Sequence, residues 1–434
     1  MGTPESHTTT ETKLERIAWL SGRDSEKEFC SLMHLFNVES LKGCFNRLDG
    51  NKAVGIDGID KAKYAEKLDA NLEELISRMK RMAYRPGPVR QVLIPKEGKP
   101  GATRPLGISN LEDKIVQGMM RRVLESIYEP LFLECSYGFR PGRGPHDAIR
   151  ALHAYLYRNE VQTVIDVDLK NFFGSIDHNE LETILRRKIK DTRFMRYLIR
   201  MFKAGVLAEG ELTVSEEGVP QGSSASPILA NIVAHHVIDE WFEHTVKAHC
   251  QGKVELFRYA DDCVVVCQHA SDAERIRKAL GKRLAKHKLG LNEEKTQLVS
   301  FSRGSTQRTA FDFLGFTFYL GRSRRGFVIP KLKTAGKRFR AKLKRVNQWA
   351  RQVRSRYRQN EIWRVFTVKL RGHIQYYGVS HNGRRVENFI DRATKILFVW
   401  LNRRSQKKSL NWDQFNLYIR KNPLPKVRVF HRLF

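Results

Sequence analysis

Six cysteines in 434 residues, with no paired CxxC spacing, fit a reducing cytoplasm better than a disulfide framework or a zinc module. Cys263 and Cys267, four apart in an apolar run, read as small buried hydrophobes. There is no run of 18 apolar residues and no apolar signal core at the N-terminus, so neither a membrane span nor a secretory signal is expected. The opening Met-Gly-Thr-Pro-Glu-Ser satisfies a loose lipidation pattern without a second anchor. Internal repeats and long low-complexity linkers are also lacking. Acid is scarce where base is plentiful: residues 301–434 hold 33 Lys and Arg against 5 Asp and Glu.

That last imbalance organises the chain. The formal net charge is +31, yet the first 300 residues are close to neutral. A near-neutral body followed by a strongly cationic last third predicts a catalytic region followed by a nucleic-acid clamp, because cations that neutralise phosphates release counterions. With 41% hydrophobic residues the chain can bury a sizeable core, and its length suggests two or three packed subdomains.

Residues 1–12 are polar and should fray, and Leu14 to Leu48 has the spacing of short helices. Val89 to Ile108 alternates around Pro95, Gly98, Pro100 and Gly101, which predicts a β-hairpin. Glu112 to Tyr128 places Ile115, Met119, Val123 and Ile127 on one helical face. Val161 to Leu169 and Leu256 to Cys267 read as strands, the second broken by Asp261-Asp262. Ser226 to Phe242 reads as a long amphipathic helix, Ala273 to His287 as a basic helix and Phe311 to Leu320 as a strand pair. From Lys331 onward the pattern turns helical and cationic, with Trp349, Trp363, Trp400 and Trp412 interleaved and mostly buried. The fold class this predicts is α+β, with an antiparallel sheet in the body and helices after it.

Tyr259-Ala260-Asp261-Asp262 lies between two apolar runs, where adjacent carboxylates would be costly unless a hairpin turn or a divalent cation accommodates them. In Ile165-Asp166-Val167-Asp168-Leu169, alternation puts Asp166 and Asp168 on the same face, and either can supply a third carboxylate. Phosphoryl transfer onto a 3′-hydroxyl uses two Mg²⁺ ions roughly 3.5–4 Å apart, held by carboxylates from different strands. A strand Asp with a hairpin Asp pair meets that demand.

Tyr-Ala-Asp-Asp, preceded by Gly218-Val219-Pro220-Gln221-Gly222-Ser223-Ser224-Ala225-Ser226-Pro227, resembles the reverse transcriptases encoded by bacterial group II introns. Residues 53–58 (AVGIDG), 104–117 (RPLGISNLEDKIVQ), 136–148 (SYGFRPGRGPHDA), 289–296 (LGLNEEKT) and 313–318 (FLGFTF) are similar to that family's successive blocks, in order. The resemblance implies a right-hand polymerase: an N-terminal extension and the start of the fingers over 1–85, fingers and palm over 86–320, and a helical basic thumb and maturase region over 321–434.

It further implies that Asp168, Asp261 and Asp262 hold the metal, with Asp168 preferred over Asp166. Phe173 would be the ring that rejects a 2′-hydroxyl, Lys96 and Arg104 the grip on the triphosphate, Gln221 and Gly222 the loop over the nascent pair, and Lys295 a candidate general acid. Leu370 to Gly378 resembles the maturase region, and Arg338, Arg340, Lys342, Arg371, Tyr376 and Tyr377 are the candidate RNA contacts. Expected partners are an RNA template, a DNA or RNA primer, dNTPs and the parent intron RNA. The chain departs from the family at Ser223, commonly glycine, and at His373, often tryptophan; no endonuclease block follows Tyr377. Two other readings stay open: a polymerase adopted by its host for defence or repair, and an RNA-binding splicing factor whose polymerase has decayed.

Overall fold

Residues 9–95, 103–208, 211–213, 217–218, 222–304, 309–404 and 410–433 are described by the computed structural model. Lys96 and Gln221, both candidate site residues, lie outside them.

The chain begins with α1 (Thr10–Arg23), α2 (Val38–Arg47), α3 (Lys61–Ala65) and α4 (Leu68–Lys80). Thr9, Asn37 and Asp60 cap the first three by accepting a backbone N–H three residues on, and the Thr9 cap starts α1 inside the segment expected to fray. A hairpin follows, β1 (Val89–Pro95) and β2 (Thr103–Ile108), with Arg90 opposite Ile108. Next comes α5 (Leu111–Tyr128), whose four-residue apolar row is buried against α1 and α2. Then come α6 (Pro145–Arg158), β3 (Thr163–Lys170), α7 (His178–Arg186), α8 (Thr192–Phe202), β4 (Val206–Ala208) and β5 (Glu211–Thr213). The fingers sheet has the order β2-β1-β4-β5, and β1 pairs β4 in parallel, so this sheet is not wholly antiparallel.

Helix α9 (Ser226–Ala234) runs on through two π-helical stretches, His235–Asp239 and Phe242–Val246, into α10 (Lys247–His249). It is not amphipathic at its start: Ser226 and every residue from Ile228 to Ala234 are buried. The palm sheet comprises β6 (Val254–Tyr259), β7 (Asp262–Cys267), β8 (Gly290–Leu291) and β9 (Gln297–Ser300), built around β3, with α11 (Ala270–Lys286) between β7 and β8. The two-residue period divides its faces. Ile165, Val167, Leu169, Cys263, Val265 and Cys267 join the large core shared with the fingers, while Val164, Val264 and Val266 join a second core.

That second core is completed by a sheet of β10 (Ala310–Phe313), β11 (Phe316–Arg322) and β12 (Val328–Thr334). Here the sequence reading fails at Lys331, because Val328–Thr334 is a strand held along its length by β11. The helical region is α12 (Gly336–Val353), α13 (Gln359–Tyr377), α14 (Gly383–Leu401) and α15 (Trp412–Lys421), around Phe339, Phe366, Phe389, Leu397 and Phe415. Buried Asn382 ties it to the sheet by accepting the Thr334 N–H and donating to the Tyr377 carbonyl. Among the described residues, no helix is long and apolar enough to cross a membrane.

Candidate active site

Asp168 on β3 is the direct cross-strand partner of Asp262 on β7, and Tyr259 pairs with Asp262 across the turn. Asp261 therefore sits in a two-residue turn with Ala260, which adopts a positive φ of 59°. Asp166, Asp168 and Asp262 share the sheet face that carries Val164 and Val264, because side chains alternate along both strands. All three carboxyls of Asp166, Asp261 and Asp262 are pushed above the usual range, first by the protein crowded around them and then by neighbouring carboxylates, Asp168 acting on each of them. Asp166 and Asp262 reach about 6, and the Arg338 charge partly offsets the rise at Asp262. Asp168 Oδ2 meets Lys295 Nζ at 3.2 Å, and its backbone N–H donates to the hydroxyl of Thr296.

The aspartate hairpin is braced from below. Arg258 and Asp239 are both fully buried, with Nε to Oδ1 at 2.7 Å and Nη2 to Oδ2 at 2.5 Å. Arg258 also donates to Ser136 Oγ, Asn231 Oδ1 and the carbonyl of Ala260, and Asn231 Nδ2 donates to the Gly138 carbonyl at 2.7 Å. Asp239 ends a π-helical stretch, whose wider turn shifts the face that a regular helix would present. Gly138 lies against the turn so closely that a Cβ there would stand 2.4 Å from the Ala260 nitrogen. None of Ser136, Gly138, Asn231, Asp239 or Arg258 was picked out as functional from the sequence. The available signal was an arginine inside the apolar run Leu256-Phe257-Arg258.

Above the aspartates lies a cleft of about 880 Å³ lined by Arg104, Phe173, Gly222, Asp261, Asp262 and Leu314. Phe173 is half-buried there, whereas its neighbour Phe172 belongs to the core. Gly222 has φ +118°, and a Cβ on it would fall 2.2 Å from the Gly107 carbonyl of β2, so the loop meets the fingers as only glycine permits. Ser223 has no positive φ, and its hydroxyl accepts the Ala225 N–H, which is why serine replaces glycine here without strain. Lys295 is brought to Asp168 and Arg104 to the same cleft.

Of the candidate RNA contacts, Arg338, Arg340 and Arg371 are exposed, and Arg338 lies near enough to Asp262 to act on its carboxyl. Tyr377 is a correction: it is 2% exposed, its ring packed on Phe316, so it presents no face to a base. Lys342 covers that ring at 4.6 Å. Tyr376 is half-buried and donates its hydroxyl to the Leu314 carbonyl in the cleft wall. The tryptophans also differ from expectation, since of the four C-terminal ones only Trp363 is buried. Trp349 and Trp400 lie half-exposed beneath Lys369, Arg354 and Arg403, where cations over the rings offset the missing apolar cover. His373 stacks on Phe389 at 3.6 Å and 12°, so a flat ring fills an aromatic place in the helical core.

The chemistry of the donors can be weighed against a metal. Among the described residues no three His, Cys, Asp or Glu side chains form a ready-closed cluster, and Asp168 is engaged by Lys295. Even so, carboxylates crowded against their own repulsion are all-oxygen donors with excess negative charge, the set that suits a hard divalent cation.

A family model described as reverse transcriptase (RNA-dependent DNA polymerase) matches residues 94–318, just over half of the chain. Protein YkfC of Escherichia coli (strain K12) is 34% identical over 307 residues, covering 64% of this chain and 78% of that one. The group II intron-encoded protein LtrA of Lactococcus lactis subsp. cremoris is 32% identical over 225 residues, covering 52% of this chain and 37% of that one. An uncharacterized 91 kDa protein in a cob intron of Schizosaccharomyces pombe is 37% identical over 210 residues, covering 48% and 25%. This chain belongs to the reverse transcriptase family.

Proposed function

We propose that this protein is an RNA-directed DNA polymerase of a group II intron, extending a DNA or RNA primer with dNTPs and also binding its parent intron RNA to assist splicing and retrotransposition. The pairing of Asp168 with Asp262, with Asp261 in the adjoining turn at the floor of the cleft, is the observation that carries the reading. Two Mg²⁺ ions held by these three carboxylates would activate the primer 3′-hydroxyl and stabilise the leaving oxygen. Arg104, with Lys96, holds the triphosphate; Phe173 blocks a 2′-hydroxyl; Gln221 and Gly222 cover the new pair; Lys295 gives a proton to the leaving pyrophosphate. The exposed arginines of α12 and α13, Arg338, Arg340 and Arg371, meet RNA phosphates. Fingers and palm extend over residues 86–320 and the thumb and maturase region over 321–434, with β12 as its opening strand, and six unpaired cysteines suit a bacterial cytoplasm.

The test is primer extension on a defined RNA template with Mg²⁺, comparing wild type with Asp261→Ala plus Asp262→Ala, using dNTPs and then rNTPs. Extension with dNTPs alone, abolished in the variant, is expected, and Phe173→Ala should admit rNTPs. A well-folded wild type that binds RNA without extending a primer would overturn the polymerase reading.

A further inference from the structure

At the far end of the third sheet from the cleft, the β11–β12 hairpin carries Arg324, Arg325 and Phe327 on its tip. Leu314 lines the cleft in the turn just before β11, and the strand's rise of about 3.3 Å per residue puts the tip about 20 Å away. The tip is built rather than loose: Ser323 N–H donates to the Phe327 carbonyl at 2.8 Å, and Phe327 N–H donates to Ser323 Oγ at 3.1 Å. Beside it stands the end of α6, where Arg303 donates to the carbonyls of Leu156 and Tyr157. His153 of α6 bonds to the Pro330 carbonyl of β12, so helix and hairpin are docked on each other.

Between them opens a concavity of about 780 Å³ lined by Tyr157, Arg303, Arg324, Arg325 and Phe327, with no carboxylate in its wall among the described residues. Phe327 is 67% exposed and Tyr157 53%. Arg303 is partly spent on capping α6, but the ring of Phe327 and much of Tyr157 stay in water, and among the described residues Arg324 and Arg325 pair with no acid.

We propose that this concavity is a second nucleic-acid site, which takes an unpaired stretch of RNA outside the polymerase cleft. Guanidinium groups meet phosphates in fork geometry, and Phe327 and Tyr157 offer faces on which splayed bases stack; paired bases are unavailable for this. An acidic protein segment would match the arginines but leave both rings uncovered. The proposal rests on the reading of the chain as an RNA-handling polymerase.

The experiment uses the full chain carrying Arg324→Ala, Arg325→Ala and Phe327→Ala together. Probes are an oligouridine 12-mer containing 4-thiouridine, an RNA duplex of the same length, and a short template–primer for extension. Wild type should crosslink the 12-mer to the 323–331 segment. The variant should lose that crosslink, bind the 12-mer about tenfold more weakly and show a salt slope shallower by about 1.4, the value for two phosphates on a single strand. Duplex binding and short-template extension should hold. Crosslinks confined to the cleft and thumb in wild type, or equal losses for 12-mer and duplex, would overturn the proposal. Crosslinking at the tip by a wild type that extends no primer would sustain this site while removing the polymerase reading.

Discussion

Asp168 and Asp262 face each other directly across β3 and β7, a cross-strand pair of like charges. Such a pair destabilises a sheet unless something else requires it. Asp262 is accordingly held above the ordinary carboxylate range, at about 6, by crowding and by Asp261.

Replacing Asp262 with asparagine removes a charge the fold would rather not carry. A carboxyl with a raised folded pKa penalises the fold above about pH 6 and stops doing so as pH falls toward 3.8. Asp262→Asn should therefore melt at the same temperature as wild type or higher at pH 7, while primer extension falls by at least about a hundredfold. A loss of several degrees in Tm would show the residue to be structural.

Gly138→Ala should damage catalysis with the fold retained. The added carbon would lie 2.4 Å from the Ala260 nitrogen and 2.9 Å from the Tyr259 carbonyl carbon, so the aspartate turn must shift. We expect at least about a tenfold loss in kcat, since misplaced catalytic groups lose rate steeply, and an unchanged circular dichroism spectrum. Unaltered extension would mean that the turn's position is not critical.

Arg258 and Asp239 separate stability from positioning. Arg258→Met alone strands a buried carboxylate and should cost about 3–5 kcal/mol, read by denaturant unfolding. Adding Asp239→Leu should recover most of that stability without restoring extension, because no side chain then holds the Ala260 carbonyl, Asn231 and Ser136. Full activity in the double variant would reduce the pair to a replaceable strut.

His373 predicts acid sensitivity. Among the described residues neither of its buried ring nitrogens finds a hydrogen-bond partner, and burial lowers its pKa from 6.5 to about 3. The unfolded chain takes up the proton first, so stability is intact above pH 6.5 and drains away between 6.5 and 3. His373→Phe should remove that slope, a relative gain of about 2 kcal/mol at pH 5 over pH 7.5. Parallel stability–pH curves would contradict the burial.

Much of this was written locally. The α5 stripe, the Val89–Ile108 hairpin and the strand–turn–strand around Asp261 follow from periods of 3.6 and 2, which neighbouring residues carry by themselves. The acid-poor last third announced its charge without any folding. Val328–Thr334 was not legible, because two lysines around Leu332 suit helix or strand equally until β11 pairs with them.

What the sequence by itself determined is therefore the local elements, the segregation of charge and the presence of carboxylates spaced for metal chemistry. Only the tertiary structure decided that Asp168 lies opposite Asp262, that Gly138 presses on Ala260 from 122 positions away, that Arg258 is buried against Asp239, and that Tyr377 is core. Strand register and burial are set by which distant surfaces exclude water together, and no short window of residues contains both partners.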